Sequence, residues 1–139
     1  NHRGAIMCKA LVFISQKMYL EANEELNYLI NFLEKNLKDD DPTGIGTLAA
    51  AYANRGIIKD RKENYEGALE DYLKAIKIDE EAVGGPGFGT VILNYKFKSS
   101  SVKKRAIYIY EQLQLPENDR VLKIKALDEG QVMHKPGKL

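Results

Sequence analysis

Tyr65, Ala68, Tyr72 and Ala75 are spaced by three, four and three residues, which sets two rings and two methyl groups on one face of an α-helix. Rings fill space and alanine lets a facing backbone come close, so this face is built to interlock with another helix and cannot be buried by its own helix alone. Just upstream, Asn54-Arg55-Gly56 lies inside a second helical pattern from Thr47 to about Arg61. The polar run Lys62-Glu63-Asn64 separates the two, with Asn64 placed to cap the later helix. A chain carrying this pair is constrained to stack helices on helices.

The rest of the chain reads in the same period. Residues 5–16, AIMCKALVFISQ, are apolar on more than one face and suggest a helix buried on several sides, Cys8 included as a small hydrophobe. Ala22, Leu26, Leu29, Ile30 and Leu33 mark an amphipathic helix from Leu20 to about Leu37, and KDDDPTGIG (38–46) reads as a turn. GGPGFG (84–89) is a breaker, and Thr90–Phe97 is short and β-branched enough to pass for a strand in isolation. Ser99-Ser100-Ser101 can cap a helix from Val102 to about Leu115 bearing Ala106, Ile107, Tyr110 and Leu113. Pro116 opens a closing helix with Val121, Leu122, Ile124 and Leu127, ahead of a basic tail.

Tyr65-Glu66-Gly67-Ala68-Leu69-Glu70-Asp71-Tyr72 and Lys74-Ala75-Ile76-Lys77-Ile78-Asp79, after Asn54-Arg55-Gly56, resemble the tetratricopeptide repeat. That family repeats a helix-turn-helix about every 34 residues. The resemblance places Tyr52, Gly56, Ala68, Tyr72 and Ala75 at the signature packing positions; Lys59 and Glu80 depart from the pattern, where an aromatic or aliphatic residue and a proline are usual. Weaker copies flank it, one carried by Ile6, Ala10, Phe13, Ala22, Leu26 and Leu29, 46 residues upstream. The other is carried by Leu93, Phe97, Ala106, Tyr110 and Leu113, 38 residues downstream. The resemblance implies an all-α solenoid, a right-handed superhelix of about three repeats (3–37, 47–81 and 87–115) in one domain, with a capping helix (117–129) and a tail (130–139).

Chemistry is harder to find. His2 and His134 stand at opposite ends of the chain in segments expected to be flexible, positions from which a catalytic pair is not expected, and a metal site would need more ligands. Asp39-Asp40-Asp41 lacks the EF-hand spacing, and the glycine run lacks that of a dinucleotide or P-loop. Lys96, Lys98, Lys103, Lys104 and Arg105 beside Tyr95 and Phe97 form the nearest thing to a nucleic-acid footprint, but charge runs on helix ends are usually solvated. With a formal net charge of +1, no overall field draws the chain to nucleic acid or to an anionic membrane, and no apolar run is long enough to span one. The charge is uneven: residues 1–81 carry −4 and residues 82–139 carry +5. A single cysteine fits a reducing compartment, so a cytoplasmic protein is expected. Because the chain begins Asn-His-Arg-Gly, it reads as a processed or truncated piece of a longer protein.

The resemblance implies that the first helix of each pair lines a concave groove that receives peptides. Its residues would be Met7, Cys8 and Leu11, then Ala50, Ala53, Asn54 and Ile57, then Phe88, Val91, Ile92 and Tyr95. That set is mostly apolar and would prefer an amphipathic helix or hydrophobic segment. It lacks the Lys, Arg and Asn clamp with which chaperone-binding members hold acidic C-termini; only Asn54 satisfies it. The expectation is therefore a non-enzymatic interaction scaffold for a protein or peptide partner. The alternative is a regulatory or dimerisation module cut from a larger enzyme or signalling protein, and the apolar face would equally be covered by the chain's own C-terminal helix, by further parts of a longer chain or by a second copy.

Overall fold

The computed structural model describes residues 2–82 and 101–124, with side chains at 2–79 and 102–124. Among them are five helices and no strand: α1 (His2–Ser15), α2 (Tyr19–Asn36), α3 (Pro42–Arg61), α4 (Tyr65–Ala82) and α5 (Ser101–Leu113). A single 3-10 turn follows at Glu117–Asp119. None of these helices is long and apolar enough to cross a membrane. The readings made for GGPGFG, for Thr90–Phe97 and for everything beyond residue 124 lie outside the described residues.

The first two helix pairs are built alike. In the α1–α2 turn, backbone N–H groups of Gln16, Lys17, Met18 and Ala22 donate to the carbonyls of Val12, Ile14, Phe13 and Met18. Forty-six residues on, Lys62, Glu63, Asn64 and Ala68 donate to Ile58, Asp60, Lys59 and Asn64 in the same order. Lys17 and Glu63 occupy the same left-handed position, with φ of 60° and 63°. The buried faces correspond too: Ala22, Leu26, Leu29 and Ile30 on α2 match Ala68, Tyr72, Ala75 and Ile76 on α4. The upstream spacing read from the sequence is thus the spacing of the backbone itself. As expected, Asn64 caps α4, its Oδ1 accepting from Gly67 N at 3.1 Å.

Helix α3 starts at Pro42, five residues before the boundary expected from periodicity. Asp41 is its N-cap, accepting from Gly44 N at 2.9 Å, and Pro42 takes the first turn, where its missing N–H costs nothing. The 38–46 run is therefore a turn only over its first half. From Thr47 to Ile58 nearly every residue of α3 is buried, because α1, α2 and α4 all pack on it. Gly56 permits a close approach of α4: a Cβ there would lie 2.7 Å from the Tyr72 ring.

Helix α1 is buried on one side only, through Met7, Ala10 and Ile14, rather than on several. It packs against α2 and α3, leaving Val12 half-exposed and Cys8 exposed, so the expectation of a buried Cys8 fails.

Helix α5 packs on α4 in a register different from the one expected. Val102, Arg105, Ala106 and Ile109 are buried and repeat the face of Ala68, Asp71, Tyr72 and Ala75 at a spacing of 34 residues, not 38. Tyr110, expected on that face, is half-exposed, and Leu113 is partly buried. The slip of about one turn has a physical source: a charged residue, Arg105, holds a core position, so counting apolar residues misplaces the face.

The closing helix expected over 117–129 is absent from its described part. After the 3-10 turn, residues 120–124 are non-helical and are held by side chains. Arg120 donates to the carbonyls of Leu115 and Leu113 (2.9 and 3.1 Å), and Gln112 Oε1 accepts from Val121 N at 2.7 Å. The Tyr108 hydroxyl donates to Val121 O, and Arg105 to Leu122 O at 2.6 Å. These side chains satisfy backbone groups that a helix would otherwise have paired.

Candidate functional site

The groove residues expected in the first two copies are mostly interior. Met7, Ala50, Ala53, Asn54 and Ile57 are buried, Leu11 is half-buried, and Asn54 Nδ2 stands 3.5 Å from Met7 Sδ, a link between α3 and α1. Phe88, Val91, Ile92 and Tyr95 lie outside the described residues. Of the expected set, Leu11 and Cys8 are the described side chains that solvent reaches appreciably.

What the structure assembles instead is a polar seam between α2, α3 and α4. Arg55 on α3 grips Asp71 on α4 with two parallel hydrogen bonds of 2.9 Å, and its third nitrogen donates to Asn27 Oδ1 on α2 at 2.9 Å. Lys59 reaches the same carboxylate at 2.9 Å. Beside them the Tyr52 hydroxyl donates to Glu34, while Arg55 and Lys74 lie 5.3 and 5.4 Å from its ring centre. Burial, reinforced by the Glu34 carboxylate, pushes the Tyr52 phenol up to about 12. Asp71 is buried, so the fork geometry of Arg55 meets a group with little access to water.

A second, deeper group joins α3, α4 and α5. Asp60 accepts from Arg105 Nε and Nη2 at 2.8 Å each and from the Tyr72 hydroxyl at 2.9 Å. Arg105 Nη2 also donates to Leu122 O, and the guanidinium lies 5.5 Å from the Tyr108 ring centre. Burial first, then the Asp60 carboxylate, holds the Tyr72 phenol well above its ordinary range. Arg105 is therefore no part of a nucleic-acid surface: the basic run loses its only arginine to the interior. Sequence reasoning missed both groups. The signal was present in the register: Asp60 stands where the upstream copy has the buried Ile14, and a charge at a core position requires a partner.

At the surface, a depression of about 460 Å³ lies where the α3–α4 turn meets the end of α5, between Leu113 and Leu122, with Glu63, Glu66 and Lys123 around it. Arg120 also borders it but is committed to backbone carbonyls. Among the described residues no group of three or more His, Cys, Asp or Glu side chains is arranged to hold a metal ion. No protein-family model, curated protein or solved structure matches the chain.

Proposed function

We propose that the chain is a tetratricopeptide-type repeat domain serving as a non-enzymatic scaffold for a protein or peptide partner. The observation that carries this reading is the repetition: one turn built twice with the same four hydrogen bonds, and one buried face recurring after 34 residues, the period of that family. Gly56 seated on the Tyr72 ring adds the close helix approach that its signature positions imply. Stacks of such pairs work by offering surface rather than chemistry. A ligand in the concave groove would rest on Leu11 and on the third-copy residues named from the sequence, since the α3 members are interior. Its apolar or amphipathic character follows from that list, and a cytoplasmic setting from the single cysteine.

Selection of a displayed peptide library on the immobilised chain tests the reading. Enrichment of one consensus that binds 1:1 at micromolar concentration supports it, and weakening by Leu11→Lys or Ile92→Lys assigns it to the groove. Selection that yields no consensus overturns it. The second reading, a dimerising or regulatory module, draws on half-exposed Val12 and exposed Cys8 on the outer side of α1. Light scattering over a concentration series decides between them: a stable dimer favours the module and a clean monomer the scaffold.

A further inference from the structure

Leu20, Glu24, Tyr28 and Phe32 recur every four residues and form one i, i+4 ridge along the outside of α2. It is an unusual ridge for a solvent-facing surface, because Leu20 is 65%, Tyr28 59% and Phe32 41% exposed. These three are among the largest apolar side chains that the described residues present to water, and Tyr28 and Phe32 stack with centroids 6.3 Å apart and planes at 13°. We propose that this ridge docks a cationic amphipathic helix of another protein.

Charge fixes the chemistry of the occupant. Helix α2 carries Glu21, Glu24, Glu25 and Glu34 against Lys35, a net −3. Glu25 is tied to Lys9 and Glu34 to Tyr52, whereas Glu24 within the ridge and Glu21 beside it form no ion pair among the described residues. The rings point the same way. Phe13, Tyr19 and Tyr52 each have a Lys or Arg within 6 Å of the ring centre, while Tyr28 and Phe32 have none among the described residues. A Lys or Arg on the partner would meet both the free carboxylates and the ring faces. Its apolar side would cover Leu20, Tyr28 and Phe32, which is the helix-on-helix mode of recognition. A second copy using the same ridge would set −3 against −3, so symmetric α2–α2 pairing is opposed.

This assignment rests on the reading of the chain as an interaction scaffold. The probe is a fluorescein-labelled 18-residue Leu/Lys peptide with helical apolar periodicity, followed by anisotropy on the full chain. A scrambled Leu/Lys peptide and a Leu/Glu peptide of the same pattern serve as comparisons. The expected result is saturable 1:1 binding of the patterned Leu/Lys peptide alone. Tyr28→Ser with Phe32→Ser should weaken it about tenfold or more, Glu24→Gln less, and Leu115→Ser, elsewhere on the surface, not at all. The substituted side chains are exposed, so circular dichroism should show intact folding. Equal binding of the scrambled peptide, or affinity unchanged in the double variant, overturns the proposal. So does a concentration-dependent dimer abolished by the double variant, which would make a second copy the occupant. If library selection yields a ligand indifferent to Tyr28 and Phe32, the ridge fails while the scaffold reading stands; if selection also yields none, both fail.

Discussion

Gly56 decides more than its size suggests. In a helix interior, glycine costs roughly 0.5–1 kcal/mol against alanine, so Gly56→Ala would ordinarily stabilise α3. Here the added Cβ would meet two Tyr72 ring atoms at 2.7 Å and the Ala68 carbonyl at 3.3 Å, and Tyr72 cannot retreat, being buried and bonded to Asp60. Overpacking of this kind costs about 1–3 kcal/mol, so the clash wins. Thermal unfolding should show the variant's Tm lower by several degrees; an unchanged or higher Tm would mean that the helices are free to part. Glu63 points the other way. Its φ of 63° is a conformation that costs a side chain roughly 1–2 kcal/mol, most of which Glu63→Gly relieves while adding entropy to the unfolded chain. A gain of about 0.5 kcal/mol is expected in urea denaturation, and a loss would show that the turn is unstrained. Gly56 was legible in the sequence because the resemblance to the tetratricopeptide repeat singled it out as a packing position. The left-handed turn was not, since neither Lys17 nor Glu63 is a residue type that announces φ > 0. Asp41 adds a pH signature. Hydrogen bonds from Arg3 and from Gly44 N hold its carboxyl below its ordinary value of 3.8. A depressed carboxyl stabilises the fold above that value and loses its contribution as pH falls through the folded pKa. The stability difference between the wild type and Asp41→Asn should therefore be constant near neutrality and shrink below about pH 4.

Between elements, the Asp60–Arg105 pair is where α3, α4, α5 and the 120–124 segment meet. Removing one member of a buried pair strands the other and costs about 3–5 kcal/mol, whereas removing both often costs little. Arg105→Met strands the Asp60 carboxylate, and Asp60→Asn strands the guanidinium but keeps an acceptor for the Tyr72 hydroxyl. The double variant should lose at least about 2 kcal/mol less than the sum of the singles in denaturant titrations, and simple additivity would mean that the charges act independently. This pair also explains which elements sequence could deliver. Helices α2 and α4 announce themselves by apolar period, and the 46-residue offset between their buried faces could be read because those positions are apolar or aromatic. The register of α5 slipped because Arg105 and, on α4, Asp71 fill core positions with charge. The early start of α3 was written in Asp41-Pro42, a cap followed by a first-turn proline, but three aspartates and two glycines hid it. The 120–124 segment was opaque for another reason: its pairing is with side chains of α5 rather than with itself.

Across the described structure, the pattern of burial implies a pattern of stability. Each described helix is held by the helices packed against it, so a helix with fewer packing partners should open more easily. Helix α3 has neighbours on three sides, contributes the partners of both polar groups and is buried along most of its length. Helix α1 buries Met7, Ala10 and Ile14, rests Ile6, Leu11 and Phe13 partly against the core and turns its remaining side toward water. Losing α1 would uncover part of α3 but leave the Arg55–Asp71 and Asp60–Arg105 contacts intact. Opening α3 would break both and separate every pair of elements that it joins. Amide hydrogen exchange should therefore separate the two helices under native conditions. The α3 amides from Leu48 to Ile58 are expected to exchange only through global unfolding, with a steep dependence on urea. Those of α1 should exchange through a smaller opening at lower free energy and with a shallower slope. A single free energy and slope shared by α1 and α3 would show that the chain opens as one unit and that the edge of the stack is no weaker than its centre. The distinction bears on the proposed docking role, because a surface that binds and releases a partner gains from a rigid scaffold beneath it. The α2 ridge stands on such a scaffold, since Leu26, Leu29, Ile30 and Leu33 anchor its inner face in the core shared with α3.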